Sequence, residues 1–510
     1  MKTKILVNLL LFATALYHPA QSQTVDYPEA VQQKIRLVED SLIYRGNTYL
    51  NAPRHPLAHW MEQENVPGVS IAVIKDYKIE WVKGWGWEDV KEQRPITTET
   101  IFRTGSINKS INAFAFLKLK QDGGIDFDQD INSILSEWKF PYTRDKAITP
   151  YHLLSHTSGL WYHWTSTYNH GPVKPTLIKM LDRKKSPQDK SKPYLYTSRD
   201  PGLKFEYTNV GISVSQQVLI EATGMGYEDY VRKEVFEPLG MSRSFYEFDG
   251  KKYRYASGYR RTGKRVQGKY RPLVEYAPAG LWTTPTDLAK YVIELQLSYK
   301  GQSNEVLTKE STDFIFTPVK QQLPHNYILR AGLGSFLLNK MGGEKYFFHA
   351  GEGSGYTGMF IGSFEGGNGA VVLTNGESDG LVYALVARIA EVYGWKDYLL
   401  DEAKVDGEVD LPADSLRKYT GKFRCVEHPE NEVEVTLWED KRLSTIFSGG
   451  EYGHPIHFPL GEDTFWGESF SLYSYTKLKF NPDGNNKFDS FTLSNPDKTT
   501  RWVRVRTSSE

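Results

Sequence analysis

Ser106-Ile-Asn-Lys109 is the sharpest chemical signal in the chain. A serine hydroxyl is a weak nucleophile until a neighbouring base takes its proton. On a helix, residues three apart share a face, so Lys109 would stand one turn above Ser106. The run Ile111-Asn-Ala-Phe-Ala-Phe-Leu-Lys-Leu119 that follows is apolar around most of its circumference and ends at Gly123-Gly124, which predicts a buried helix. Burial matters because a lysine at its usual pKa of about 10.4 is almost wholly protonated at pH 7; lowering it to about 7 takes roughly 4–5 kcal/mol of destabilisation of the charge. A serine at a helix start also has backbone N–H groups to aim at a developing oxyanion.

Spacing alone is weak evidence, since Ser-x-x-Lys also begins at Ser136, Ser415 and Ser474. Two further constellations narrow the choice. Tyr207-Thr-Asn209 follows Pro201-Gly202 and so sits in a loop before an apolar helix starting near Val210. A phenol can relay a proton and an amide can hold a substrate carbonyl. Tyr49-Leu-Asn51 has the same form without the same setting. His349-Ala-Gly351 ends a predicted strand, where small residues let a substrate backbone lie along the sheet edge. Gly376-Glu-Ser378-Asp-Gly380 is a literal GxSxG between strand and helix, but the strands upstream read as antiparallel hairpins rather than strand–helix repeats. His156 and Ser158, in Leu153-Leu-Ser-His-Thr-Ser-Gly-Leu160, read as residues that cap backbone groups.

The elements around these residues imply an α+β architecture. Gly68–Ile74 and Lys78–Gly84 read as a hairpin across Lys75-Asp76-Tyr77, and Ala30–Leu50 before it has helical periodicity. Residues 100–300 are mainly helical. Strands return at Lys345–His349, Tyr356–Ser363 and Gly369–Asn375, followed by a helix over Leu381–Tyr393. An antiparallel sheet built from both ends, flanked by helices and carrying a helical insertion, accounts for that order. The acidic, proline-containing stretch 397–411 reads as a linker. From 412 to 510, short runs rich in Val, Phe, Tyr, Trp and Thr predict a small all-β, barrel-like domain: Glu432–Glu439, Arg442–Phe447, Phe465–Phe470, Tyr473–Phe480, Phe488–Leu493 and Arg501–Val505.

Composition bounds the function. Lys plus Arg and Asp plus Glu are both 62, so nothing steers the chain globally to nucleic acid or an anionic membrane. The single cysteine, Cys425, leaves no intrachain disulfide, CxxC pair or cysteine-based zinc site, and no His-x-x-x-His or carboxylate cluster suggests a metal. Residues 1–22 read as a signal peptide: Lys2 and Lys4, a short apolar stretch Ile5–Leu16, then Ala20-Gln-Ser22. The apolar stretch is too short to span a bilayer. The expected mature protein, from residue 23, is periplasmic or secreted, without stable membrane insertion.

Five ordered blocks over roughly residues 30–395 resemble the serine β-lactamase and penicillin-binding-protein superfamily, in its class C β-lactamase-like branch. They are Thr104-Gly-Ser-Ile-Asn-Lys-Ser110, Ile148-Thr-Pro-Tyr-His-Leu-Leu-Ser-His-Thr-Ser-Gly-Leu160, Pro201-Gly-Leu-Lys-Phe-Glu-Tyr-Thr-Asn209, Pro278-Ala-Gly-Leu-Trp-Thr-Thr-Pro-Thr-Asp-Leu-Ala289 and His349-Ala-Gly351. The resemblance implies a β-lactamase/transpeptidase-like fold over residues 23–396 and no metal or organic cofactor. It makes Ser106 the acylated nucleophile, Lys109 its proton acceptor and Tyr207 the relay to the leaving group, either of the last two serving as primary base. It makes Asn209 a ligand of the substrate amide and places an oxyanion hole at the N–H groups of Ser106 and Glu352. His349 and Gly351 would flank the substrate.

β-Lactamases of this branch usually carry Lys-Thr-Gly at the third motif, where the lysine helps hold a carboxylate. His-Ala-Gly is the form of related esterases, D-aminopeptidases and DD-peptidase-like enzymes. The expected substrate is a small amide or ester: a D-amino-acid peptide, a peptidoglycan fragment or an acyl ester. The alternatives are a genuine β-lactamase and a non-catalytic binding protein on the same fold. The C-terminal domain resembles lipocalin-like barrels appended to some members, which either shape access to the site or only stabilise the chain. The aromatic stretch Trp161–Tyr168 would line a substrate cleft or pack as a loop.

Overall fold

A computed structural model describes residues 26–43, 54–160, 174–182, 185, 191, 195–247, 253–319, 329–339, 344–396 and 398, then 409–438, 442–447, 456–461, 463–468, 475–482, 488–494 and 499–505. The stretch 1–22 expected to be a signal peptide, Tyr49–Asn51, Trp161–Tyr168, Ser474 and most of the 397–411 stretch lie outside the described residues. The chain divides into two compact units, with the boundary in its C-terminal part between Leu399 and Leu400.

The first unit is built on one eight-stranded antiparallel sheet. Its spatial order is Arg94–Pro95, Lys78–Asp89, Gly68–Lys75, Gly369–Thr374, Tyr356–Ser363, Lys345–Gly353, Phe336–Asn339 and Leu329–Ala331. Sequence-distant strands meet in the middle: Val371 pairs with Ala72 and Leu373 with Ser70. The sheet is therefore assembled from both ends of the unit, with the helical region between them. Asp76 and Tyr77 both have positive φ (52° and 61°), the geometry of a tight two-residue hairpin turn.

Both faces of the sheet are covered. Ala72, Ile74, Phe360, Val371 and Leu373 share a core with Leu288, Val292 and Leu295 of the Pro285–Tyr299 helix. Alternate residues such as Ile71, Val73 and Val372 point to the other face and are equally buried, where the Asp379–Tyr393 helix packs. The Asn108–Gln121 helix is buried from Asn108 to Leu117, as its apolar circumference requires, and terminates where Gly123 turns left-handed (φ +76°).

Several boundaries differ from the sequence reading, among them that of the second strand, which runs to Asp89 rather than Gly84. The first helix spans Glu29–Asp40 rather than continuing toward Leu50, because Ser41 leaves helical geometry and Leu42-Ile43 pair in a short ladder with Arg54-His55. The strand that begins at Lys345 continues to Gly353, so His349-Ala-Gly351 lies within it rather than at its end. The small side chains and glycines of this stretch are matched by Gly358 and Thr357 on the partner strand, which keeps the ladder intact.

In the second unit eight strands close into a barrel, from Gly421–Cys425 to Thr499–Arg504, which pair with each other. Tyr419, Phe423, Phe465, Phe480 and Phe491 fill the core. Two strands, Gly421–Cys425 and Ile456–Pro459, were not predicted by composition: the first alternates buried Phe423 and Cys425 with exposed Lys422 and Arg424, and the second holds a histidine and ends in proline.

Candidate active site

Ser106 occupies a single turn of 3-10 helix, Gly105–Ile107, that runs directly into the Asn108–Gln121 helix. Lys109 Nζ consequently lies 2.8 Å from Ser106 Oγ. Its other partner is the carbonyl of Pro278, also at 2.8 Å. Lys109 is buried (1 % exposed), and burial drives its pKa well below the usual lysine value. Neither partner is a carboxylate, so nothing restores the ammonium form. A neutral amine that spends one N–H on Pro278 O keeps a lone pair for the Ser106 hydroxyl.

The segment that supplies this carbonyl is fixed from several sides. Asn108 Nδ2 donates to the carbonyls of Tyr276 and Ala277 (2.8 and 2.9 Å), and its Oδ1 accepts from Tyr246 OH. Gln216 bridges from the Asn209–Thr223 helix, donating to Val274 O and accepting from Ala277 N. The Gly-rich block around Pro278 thus acts as the socket of the lysine.

Tyr207 and Asn209 arrive from the loop and first turn of the Asn209–Thr223 helix. The Tyr207 ring centroid is 4.9 Å from Lys109 Nζ. Asn209 is buried, and its Oδ1 has no hydrogen-bond partner among the described residues. An unmet buried acceptor is costly unless something fills it, and a substrate N–H would do so.

The third block closes the site by backbone contact. A Cβ on Gly351 would sit 1.9 Å from Thr104 O and 2.9 Å from Ser106 N. On Gly105, whose φ is +55°, it would sit 2.4 Å from Glu352 O and 2.9 Å from Glu352 N. Only glycines let the serine turn and the strand approach this closely, and the approach brings the amides of Ser106 and Glu352 together. The Glu352 side chain itself is exposed. His349 is buried beside them, with Nδ1 2.6 Å from Ala350 O, a bond in which the ring N–H donates. Burial pushes its pKa down to about 3, so at neutral pH it is uncharged.

The structure therefore gathers Ser106, Lys109, Tyr207, Asn209, His349, Gly351 and Glu352 around one turn. It also brings in His156, which the sequence reading took for a backbone cap. His156 does accept the Thr208 N–H at Nδ1 (3.2 Å), but its ring also lies 4.5 Å from that of Tyr207. Burial holds it neutral, and its φ of +56° is unusual for a side chain of this size.

The competing serines are employed elsewhere. Ser378 Oγ caps the Asp379–Tyr393 helix by accepting the Leu381 N–H (3.2 Å) and donates to Glu64 Oε2 (3.1 Å). Its strand, Gly369–Thr374, is antiparallel to both neighbours, which removes the α/β-hydrolase elbow. Ser136 Oγ donates to Glu221, while Lys139 reaches the carbonyls of Asn132 and Leu135. Ser415 lies in the barrel unit, and Ser158 Oγ accepts the Leu160 N–H.

Comparison with known proteins places this arrangement. The Beta-lactamase family model matches residues 55–393. "Protein flp" of Staphylococcus aureus (strain MRSA252) is 24% identical over 233 residues, covering 45% of this chain and 44% of the relative. The chain thus matches less than half the length of that curated relative. The octameric penicillin-binding protein homologue of Pyrococcus abyssi superposes with a TM-score of 0.59 at 24% identity, covering 87% of this chain and 98% of the other. A D-amino acid amidase from Ochrobactrum anthropi superposes with a TM-score of 0.55 at 24% identity, covering 72% and 98%. Both structures share the fold.

Proposed function

The chain belongs to the Beta-lactamase family, and from that premise we propose that it is an exported serine hydrolase that works through an acyl-enzyme on Ser106. The observation that carries the reading is the Lys109 amine, buried, held by a carbonyl and 2.8 Å from the serine oxygen. In the proposed reaction Lys109 Nζ takes the Ser106 proton as Oγ attacks the substrate carbonyl. The N–H groups of Ser106 and Glu352 receive the oxyanion. Tyr207, against Lys109, passes a proton to the leaving group, and water then enters by the reverse route to free the acid. Either Lys109 or Tyr207 serves as the primary base.

Two features support a small amide, or an ester that also carries an amide, as substrate. The unmet Asn209 Oδ1 is an acceptor for a substrate N–H. His349, neutral by burial, offers a substrate carboxylate no cation at the third motif, which favours a peptidase or esterase over a β-lactamase. A D-amino-acid peptide, a peptidoglycan fragment or an acyl ester fits. Export rests on the leader-like residues 1–22; no helix among the described residues is long and apolar enough to cross a membrane.

The test is covalent labelling of residues 23–510 with a fluorophosphonate and with labelled penicillin, followed by intact mass and peptide mapping. A fluorophosphonate adduct on Ser106, absent in Ser106→Ala, supports the mechanism, and Lys109→Met should slow its formation by about 10²–10⁴-fold. Penicillin labelling at the same serine would favour the peptidase side of the family. A folded protein that takes no adduct on Ser106 would remove the mechanism in favour of a binding role.

A further inference from the structure

The segment that receives Lys109 also walls a separate cavity of about 200 Å³, lined by Arg103, Arg271, Lys174, Glu247, Tyr276 and Trp282 among others. None of Ser106, Lys109, Tyr207, Asn209 or His349 lines it. The two are nonetheless coupled through consecutive residues: Pro278 O accepts from Lys109 Nζ, and Ala279 O accepts from Arg103 Nε at 3.3 Å. Arg103 is three residues ahead of the nucleophile, on a short strand paired with Trp282-Thr283.

Arg103 is the unusual member. It is only 4 % exposed, yet its partners among the described residues are two carbonyls, Ala279 O and Arg271 O. Its remaining nitrogen, Nη2, has no partner among them. Burial lowers its pKa to about 10, with only the neighbouring Tyr356 and Tyr270 acting in the other direction. A desolvated guanidinium without a carboxylate is a costly thing to keep. The cation beside it is in a different state: Lys174 is engaged by Glu247 and by Tyr276 OH. The one carboxylate of the wall, Glu247, is thus taken by Lys174, which leaves Arg103 facing the cavity without a carboxylate partner among the described residues.

We infer that this cavity is a subsite for a carboxylate that the substrate carries on a short apolar stem, with Arg103 meeting the charge and Tyr276 and Trp282 flanking the stem. One free arm of the guanidinium fork suits one oxygen of a monoanion; a phosphate dianion would call for a fuller set of donors than Arg103 retains. The neutral His349 is consistent with this placement, since a carboxylate on the substrate must then find its counter-charge away from the third motif. That the occupant is part of the substrate rests on the acyl-enzyme reading; that the cavity takes a carboxylate does not.

The test is calorimetric titration of the full chain and of Ser106→Ala with glutarate, its uncharged diamide glutaramide, and inorganic phosphate. Glutarate should bind both proteins equally and glutaramide neither. Arg103→Lys, which keeps the charge but loses the fork, should weaken glutarate by about tenfold or more. Because Arg103 also ties Ala279 and Arg271 in place, Arg271→Gln, which removes another cation from the wall, serves as a second variant and should weaken glutarate severalfold. Absence of glutarate binding, equal binding of glutaramide, or unchanged affinity in both variants would overturn the inference; phosphate binding as tightly as glutarate would overturn its assignment to carboxylates. Glutarate binding in a protein whose Ser106 takes no fluorophosphonate would leave the subsite standing and remove the hydrolase. Normal labelling without glutarate binding would do the opposite.

Discussion

The neutral His349 makes the first unit acid-labile, and by an amount that can be worked out. Its ring is fully buried beside Lys109, and its pKa falls from the ordinary 6.5 to about 3. Above pH 6.5 the folded and unfolded chains both hold it neutral, so it contributes no pH dependence. As pH falls through 6.5 the unfolded chain takes up a proton that the folded chain refuses, and stability drops until about pH 3. Between pH 6 and pH 4.5 this single group removes about 2 kcal/mol, a sizeable part of an ordinary domain's stability. His349→Gln keeps a donor for Ala350 O and cannot titrate. Urea unfolding should be followed at both pH values by hydrogen exchange of the peptide spanning Tyr346–Ser363, which belongs to this unit alone. The wild type should lose about 2 kcal/mol more than the variant across that interval. Carboxylates and the other histidines are common to both proteins and cancel. An equal loss in the two proteins would refute the claim that His349 is buried uncharged.

Gly351→Ala places a Cβ 1.9 Å from Thr104 O, where only backbone can yield; it should cost about 3 kcal/mol in thermal or urea unfolding and abolish fluorophosphonate labelling of Ser106. His156→Phe preserves a ring against Tyr207 but strands the buried Thr208 N–H, for about 1–3 kcal/mol, while His156→Ala adds a cavity and should lower the acylation rate as well; equal acylation rates in the two variants would dismiss a positioning role for the ring. Ser378→Ala removes a helix cap and should cost about 1 kcal/mol with the acylation rate unchanged, whereas loss of labelling would restore that serine as a nucleophile.

The Ser106–Lys109 pair on one face and the antiparallel sheet drawn from both ends of the unit were legible in the sequence because each rests on local geometry or strong periodicity. The Asn108–Gln121 helix is apolar all round, and a helix of that kind has nowhere to go but inside. The run of the strand through Gly353 was not legible, since Ala350-Gly-Glu-Gly353 has poor strand propensity and is held only by its pairing with Tyr356–Met359. The same holds for Gly421–Cys425, which exists as a strand because Phe423 and Cys425 face the barrel core and the last strand closes on it. Leu42-Ile43 continued a helical pattern in sequence but found a ladder with Arg54-His55 instead. The lysine's socket was invisible for another reason: Pro278 contributes a carbonyl, and a backbone acceptor leaves no mark on residue type. His156 was visible as a motif residue, but its stacking on Tyr207 depends on a left-handed backbone that sequence pattern does not encode.

Charge pairing separates structural from chemical residues in this fold. Glu88 and Asp89 are as buried as Lys109, and both are surrounded by donors: Arg94, Arg254 and Thr100 on Glu88, and Ser257, Arg265 and the Glu92 N–H on Asp89. Burial alone would raise the Asp89 carboxyl, yet those bonds hold it below its ordinary value, so it stays ionised and inert. The fold thus has the means to neutralise a buried charge where a charge is only structural. At Lys109 it supplies a carbonyl and a serine, which accept hydrogen bonds but cannot fix a proton on the amine. At Arg103, which no burial at this depth will deprotonate at neutral pH, it supplies two carbonyls and an open cavity. The same deprivation acts oppositely on the two groups: it drives the lysine toward the neutral amine that the proposed mechanism uses, and it leaves the arginine charged, as the proposed subsite requires.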